Sequence, residues 1–443
     1  MKRPGRGGDA LAYSGDMRRR ALLFLLACGA AATGALADRL EDTFYVPLDH
    51  PAIRYAQAPN DPVARLEKRL ESGQAKLDFA ANGWGYLPSV LQQLGINADS
   101  QILVFSKTSI QLPHISPRTP RALYFNDEVA VGYVQNGDVL ELTSLDPKQG
   151  VILYTLDTEK SASPEFTRRD DCLKCHQGPV TLGVPGILIS SVHPRSSEAG
   201  DGHGSAYETD QRIEIKDRWG GWYVTGTHGA QTHLGNNPAL MDPLQPGGPA
   251  GPGALNLTSL AGLFDTSRYL APTSDIVALL TIEHQVRMTN LMIRIGWDAR
   301  IAQHDNTLGT VRPQLDSEIE EMVGYMLYAD EAPLGDTVAG VSTFTKTFAA
   351  RGPRDRKGRS LRDFDLHTRL FRYPLSYLIY SAAFDGMPDL VKERVYQRLY
   401  DVLSGKDQSK PFARLSAADR AAVLEIVRET KPNLPAYWAA RTQ

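Results

Sequence analysis

Residues 129–156 read Val129-Ala130-Val131-Gly132-Tyr133-Val134, Gln135-Asn136-Gly137-Asp138, Val139-Leu140-Glu141-Leu142-Thr143-Ser144-Leu145, Asp146-Pro147-Lys148-Gln149-Gly150 and Val151-Ile152-Leu153-Tyr154-Thr155-Leu156. Three runs rich in β-branched and apolar residues are separated by two turns. Asn-Gly is the dipeptide that tolerates both positive φ angles of a tight hairpin, so the first pair of runs predicts an antiparallel hairpin. Asp-Pro-Lys-Gln-Gly then turns the chain again. Upstream, 102–105 and 122–125 are further strand-like runs, so the whole predicts an antiparallel meander. Its plain role is a sheet that supports the segment C-terminal to it.

That segment contains Cys172-Leu173-Lys174-Cys175-His176. C-x-x-C-H is the spacing for covalent haem c attachment: each thiol adds to one vinyl group, and the adjacent imidazole reaches the iron from one face. A redox dithiol and half of a zinc site are the rival readings. A zinc site needs two more ligands of similar type, and the chain has no second cysteine pair. The motif predicts one covalently held haem c, with Cys172 and Cys175 as anchors and His176 as iron ligand.

The leader supports this reading independently. Arg18, Arg19 and Arg20 precede the apolar, alanine-rich residues 21–34, and Ala35-Leu36-Ala37 is a small-x-small cleavage site. Met17 offers an alternative start. These features predict export to the periplasm, the side on which haem c is attached. A lipid anchor at Cys28, read from Leu25-Leu26-Ala27-Cys28, is the lesser alternative. With Cys28 in the leader, the mature chain keeps only the two motif cysteines and has no disulfide framework. A net charge of −3 gives no reason to expect a nucleic-acid partner. No later run is long and apolar enough to span a membrane once the leader is removed.

By texture the chain divides into a signal peptide (1–37), a mixed region carrying the antiparallel sheet (38–160), a haem c-binding segment (161–241), a proline- and glycine-rich linker (242–255) and a helical region (256–443). In the first region 61–70 and 87–94 are helix-like, and 161–171 reads as a loop. In the last, 274–295 is the clearest helix. Val277, Leu280, His284, Met288, Leu291 and Ile295 share one face, and Glu283, Arg287, Asn290 and Arg294 a neighbouring polar one. Helices are also predicted over 313–328, 373–384, 388–403 and from Ser416 to about 430. The basic residues 354–362 read as a solvated loop. The fold class is α+β, with a mainly helical second half, and not the small class I cytochrome c fold.

The second face of the iron sets the chemistry. Another histidine gives a low-potential carrier, a methionine raises the potential, and an open position admits a small molecule. His284, in the apolar helical stripe, and His228, in Trp219-Gly220-Gly221-Trp222-Tyr223-Val224-Thr225-Gly226-Thr227-His228-Gly229, are the leading candidates. Each is weighed against a core histidine satisfied by hydrogen bonds. His233 is a further candidate. Met241 sits at a linker edge, and His193 and His203 in polar loop sequence. Arg168, Arg169 and Arg218 are candidate partners for the haem propionates.

The strings Ser116-Pro117-Arg118-Thr119-Pro120-Arg121-Ala122-Leu123-Tyr124-Phe125-Asn126, the C-x-x-C-H motif, the Trp219–Gly229 stretch and Glu283-His284-Gln285 resemble exported bacterial proteins known only as cytochrome c domain-containing proteins. The resemblance runs from about residue 85 to Trp438. It implies haem c and export, and no particular substrate or axial ligand.

The leading expectation is an exported monohaem c-type cytochrome that passes electrons to an unidentified redox partner protein. The alternative is a haem enzyme with an open or displaceable sixth position, handling peroxide or an oxyanion, with His284 or His228 and Arg287 as acid–base and charge-stabilising groups. Its size favours this, and a single motif excludes a two-haem peroxidase. A haem-stapled binding or sensor module is the third reading.

Overall fold

A computed structural model describes residues 45–107, 109–192, 206–241 and 251–439. The leader, Cys28, His193 and His203 lie outside these residues, as do 242–250 of the expected linker. Pro47–Gln443 form one compact unit, so the regions on either side of that linker pack as one body.

The elements run α1 (Pro62–Glu71), α2 (Leu87–Gln93), β1 (Ile102–Val104), β2 (Arg121–Phe125), β3 (Val129–Tyr133), β4 (Val139–Asp146), β5 (Gly150–Asp157), β6 (Phe166–Arg168), α3 (Leu173–His176), β7 (Ser190–Val192), β8 (Ala206–Glu208) and β9 (Trp222–Tyr223). The helical half continues with α4 (Ile276–His304), α5 (Leu308–Met326), α6 (Phe344–Ala350), α7 (Ala382–Gly386), α8 (Asp389–Leu403) and α9 (Ala417–Thr430). The protein is α+β, with an antiparallel sheet in the N-terminal half and helices in the C-terminal half.

The sheet has seven strands in the order β6-β5-β4-β3-β2-β1-β9. β2 to β5 form the expected meander, with Val139 opposite Asp157 and Gly132 opposite Glu141. Two strands were not expected. β6 lies in the predicted loop 161–171 and is only three residues long, too short for a periodic signal. β9 comes from the Trp-Gly-Gly-Trp stretch and closes the far edge on β1 through Leu103–Tyr223 and Val104–Trp222 pairs. Side chains alternate across the sheet. Tyr124, Val131, Leu140 and Leu142 point into the core and are buried. Arg121, Leu123, Glu141 and Thr143 point the other way and are only half-buried.

α4 is the central helix of the second half. Asp275 caps it, its carboxylate accepting from the Val277 N–H at 2.8 Å. No breaker intervenes before Asp305, so it runs well past the expected end. Of its 29 residues 22 are buried, and its polar face is therefore not a solvent face. Asn290 and Arg294 instead hold the segment after the motif. Asn290 Oδ1 accepts from Ile187 N at 3.1 Å, its Nδ2 donates to Ile187 O at 2.9 Å, and Arg294 Nη1 donates to Leu182 O at 2.9 Å.

Three expectations for the helical half change. α5 starts at Leu308 and carries Pro313 in its second turn. The predicted helix 373–384 is broken because two serines cap new starts. Ser376 Oγ accepts from Leu378 N, opening a 3-10 turn at Tyr377–Tyr380, and Ser381 Oγ accepts from Phe384 N, opening α7. The basic stretch 354–362 is not wholly solvated. Arg362 is buried, paired with Asp127 and lying over the rings of Phe348 and Tyr377. Among the described residues, no helix is long and apolar enough to cross a membrane.

Glu331 gives this half a measurable pH dependence. It is buried, accepts the Leu370 N–H at 2.9 Å, and burial pushes its carboxyl from the usual 4.5 up to about 7. A folded value above the unfolded one contributes stability that is complete below pH 4.5 and lost as pH rises through 7. Glu331→Gln keeps an acceptor and removes the titration. Its unfolding free energy relative to wild type is expected to improve by roughly 2 kcal/mol between pH 5 and pH 8 in urea titrations. A difference that does not change with pH would exclude a raised carboxyl here.

Candidate cofactor site

The motif forms a tight helical corner. A 3-10 turn over Asp170–Cys172 leads into α3, which ends as Gln177 turns extended and Gly178-Pro179 follow. Cys172 and Cys175 are three residues apart, on one side of this single turn. Cys172 is half-buried and Cys175 exposed, and they do not form a disulfide. Leu173 anchors the corner in the core.

His176 is oriented from behind. Its Nδ1 lies 2.9 Å from the Gly186 carbonyl oxygen. That partner accepts, so Nδ1 carries the proton and Nε2 keeps its lone pair, the tautomer an iron ligand needs. The Gly186 N–H closes the loop onto His176 O at 2.8 Å, and Asn290 fixes the neighbouring Ile187. Gly186 has to be glycine, because a Cβ would meet Asn290 Oδ1 at 2.5 Å and Thr181 Cβ at 2.8 Å. Burial pushes the imidazole below its ordinary value and keeps it neutral.

Cys172, Cys175 and His176 line one side of a cavity of about 520 Å³, within the range of small-molecule sites. The outward face of the sheet is its floor, with Leu123, Phe125, Ala130 and Leu153. Ile187, Ile189, Trp222 and, from α4, Ile282 and Val286 complete the apolar walls. Ile110 and Leu112 at the rim are about half exposed, at 52 % and 46 %. Large exposed aliphatics beside an apolar cavity suit a flat hydrophobic group that covers them. The donor set, the ligand tautomer and the cavity together fit haem c. The dithiol rival fits less well, because burial and the Asp171 carboxylate push the Cys172 thiol up, whereas a reactive redox thiol is lowered.

The structure brings neither sequence-proposed sixth ligand to this cavity. His284 is fully buried and both ring nitrogens are engaged: Nδ1 lies 2.6 Å from Gln211 Oε1 and Nε2 2.8 Å from Ser376 Oγ. Its ring stacks on Tyr325 and Tyr328. Helix geometry explains this. Ile282 and Val286 face the cavity, and a residue two positions from each lies on the opposite side. His228 is also buried, and its Nε2 accepts the Asn256 N–H at 3.1 Å. It packs against His233, with centroids 4.9 Å apart, and Trp219 packs against His233 in turn. Burial holds both histidines below the ordinary value, His233 at about 3. Of the Trp219–Gly229 stretch only Trp222 lines the cavity.

The arginines are engaged elsewhere. Arg218 forms a buried ion pair with Glu283 at 2.8 Å. Arg287 pairs with Glu208 and Glu321, Arg168 with Asp170 and the Tyr55 carbonyl, and Arg169 with Asp171. Sequence reading missed Arg121 and Glu141, an ion pair inside the cavity. A glycine inside a predicted strand, Gly132, was the available sign of a close approach there.

A second group, His50, His304 and Asp305, has ligand atoms within 4.8 Å of one another. His50 Nδ1 accepts the Ala52 N–H, so its Nε2 carries the proton shared with Asp305 and offers no lone pair to a metal. It reads as a hydrogen-bonded cluster at the end of α4. Comparison with known proteins gave no match: no family model, no curated protein and no solved structure is similar to this chain.

Proposed function

We propose that the protein is an exported, periplasmic haem c protein that carries out oxidoreduction with a redox partner protein. One haem is held through Cys172 and Cys175, with His176 on the iron. The observation that carries the reading is the motif corner lining an apolar cavity, with His176 Nδ1–H committed to Gly186 O. When bound, the haem supplies a one-electron couple and an iron with a second face. The chain's own residues orient the ligand through Gly186 and Asn290 and exclude water with the sheet face and α4. Exposed Lys174 and Cys175 leave the attachment edge open to a partner. Export rests on the leader-like residues 18–37 and on the resemblance to exported cytochrome c domain-containing proteins.

A specific observation favours the open-iron alternative over a bis-histidine or histidine–methionine carrier. Among the described residues, the cavity lining contains no methionine and no histidine except His176. The test is expression in a host with haem c maturation, followed by a pyridine haemochrome assay on acid-acetone-extracted protein. One extraction-resistant haem per chain is expected. A colourless polypeptide from a host that matures a control cytochrome would exclude the reading.

A further inference from the structure

We propose that Arg121 and Glu141 form a charged recess in the cavity that His176 lines, and that with haem held there this recess would bind a small anion of the class of fluoride, azide, nitrite or hydroperoxide. The inference rests on the haem c reading and adds a ligand class to it.

Three neighbouring strands build the recess. Strand pairing sets Leu123 of β2 opposite Gly132 of β3, and Gly132 opposite Glu141 of β4. Arg121, two residues before Leu123, shares its face of β2. Its guanidinium lies across Gly132, where a Cβ would come within 2.6 Å of Nη2 and 2.8 Å of Nε. It reaches over this bare position to the Glu141 carboxylate. That carboxylate is fixed further, accepting from Ser109 Oγ at 2.6 Å and Gln111 Nε2 at 3.3 Å. The pair is thus tied to the sheet and cannot swing freely.

The pair is also incomplete. Arg121 Nε is buried and has no hydrogen-bond partner among the described residues. A buried N–H donor without an acceptor is rare and marks a place for a ligand or water. Leu123 and Trp222 line the same cavity. Arg121 and Glu141 line the same cavity as His176, Cys172 and Cys175.

A propionate partner is the competing role for Arg121. Position argues against it: the pair sits on central strands of the seven, whereas exposed Lys107 and Lys174 at the cavity edge suit propionates. An anion held by a fixed N–H donor with a carboxylate alongside suits a ligand that is small and arrives with a proton or leaves with one.

The test uses the ferric holoprotein titrated with sodium fluoride and, separately, with imidazole, read by absorption spectra. Arg121→Gln is expected to weaken fluoride about tenfold or more and imidazole less than about threefold, since only the anion uses a charge-assisted hydrogen bond. Arg121→Lys is expected to fall between, and Gly132→Ala, which displaces the guanidinium without removing it, to weaken fluoride as well. Covalent haem content and circular dichroism identify any variant that misfolds. Equal fluoride affinity in wild type and Arg121→Gln overturns the proposal. So does a low-spin ferric spectrum that neither ligand changes, with the haem c reading left intact. Absence of covalent haem removes that reading, and this one with it.

Discussion

Replacing Cys172 and Cys175 together by serine is expected to abolish covalently attached haem while the polypeptide still folds. Both halves follow from the position of the motif. Cys175 is exposed and Cys172 half-buried, and the corner is held instead by Leu173 and by the backbone bond from Gly186 to His176. Serine is close in size, so the cost in stability is about 1 kcal/mol or less. The cost in attachment is complete, because no other described cysteine remains to form a thioether. Single variants are expected to keep one thioether and a shifted reduced spectrum. Intact-mass spectrometry of denatured protein reads the result directly: wild type gains the mass of one haem and the double variant gains none. If the pair were a redox dithiol, wild type would differ between oxidised and reduced samples by two hydrogens only. Either that result or haem retained in the double variant would remove the central claim.

Much of this site was legible in the sequence, and the part that was not has an identifiable cause. Asn136-Gly137 and Asp146–Gly150 announce the meander because turn chemistry is local. The C-x-x-C-H motif is legible for the same reason, since the spacing that haem c attachment would need lies within five residues. A sixth ligand for the proposed haem would depend on which side of α4 meets the cavity. The apolar stripe through His284 looked like a cofactor-facing surface, yet α4 is buried nearly all round, and its periodicity does not choose between the two apolar sides. Ile282 and Val286 meet the cavity, while His284 meets Tyr325, Tyr328, Gln211 and Ser376. Arg121 and Glu141 went unrecognised for a related reason. They are 20 residues apart, and only the register through Gly132 makes them neighbours. The polar face of α4 is legible as polar, but periodicity does not show what it meets: Glu283 pairs with Arg218, and Asn290 and Arg294 hold the segment after the motif.

Arg218 supplies the largest expected change in stability, and its outcome separates a structural role from the propionate role that sequence suggested. Arg218 is 3 % exposed and Glu283 0 %. Besides the Glu283 carboxylate, the guanidinium donates from Nε to Ile213 O at 2.7 Å and from Nη2 to Gln211 O at 3.1 Å. Gln211 in turn donates to Tyr325 O and meets His284. The side chain therefore joins the segment before β9 to α4 and α5. Removing one member of a buried pair strands the other charge, so Arg218→Met is expected to cost about 3–5 kcal/mol in urea unfolding. Burial already pushes the Glu283 carboxyl up despite its partner, and without Arg218 it would take a proton to remain buried. Glu283→Gln is expected to cost less, because the guanidinium keeps its two carbonyl acceptors and the amide oxygen still accepts. Arg218→Met combined with Glu283→Leu is expected to recover part of the loss and not all, since Ile213 O and Gln211 O lose their donor. A propionate partner would behave differently: Arg218→Met would leave the unfolding midpoint near wild type and change the haem spectrum or its potential. That second pattern, or full recovery in the double variant, would show that the ion pair does not hold these segments together.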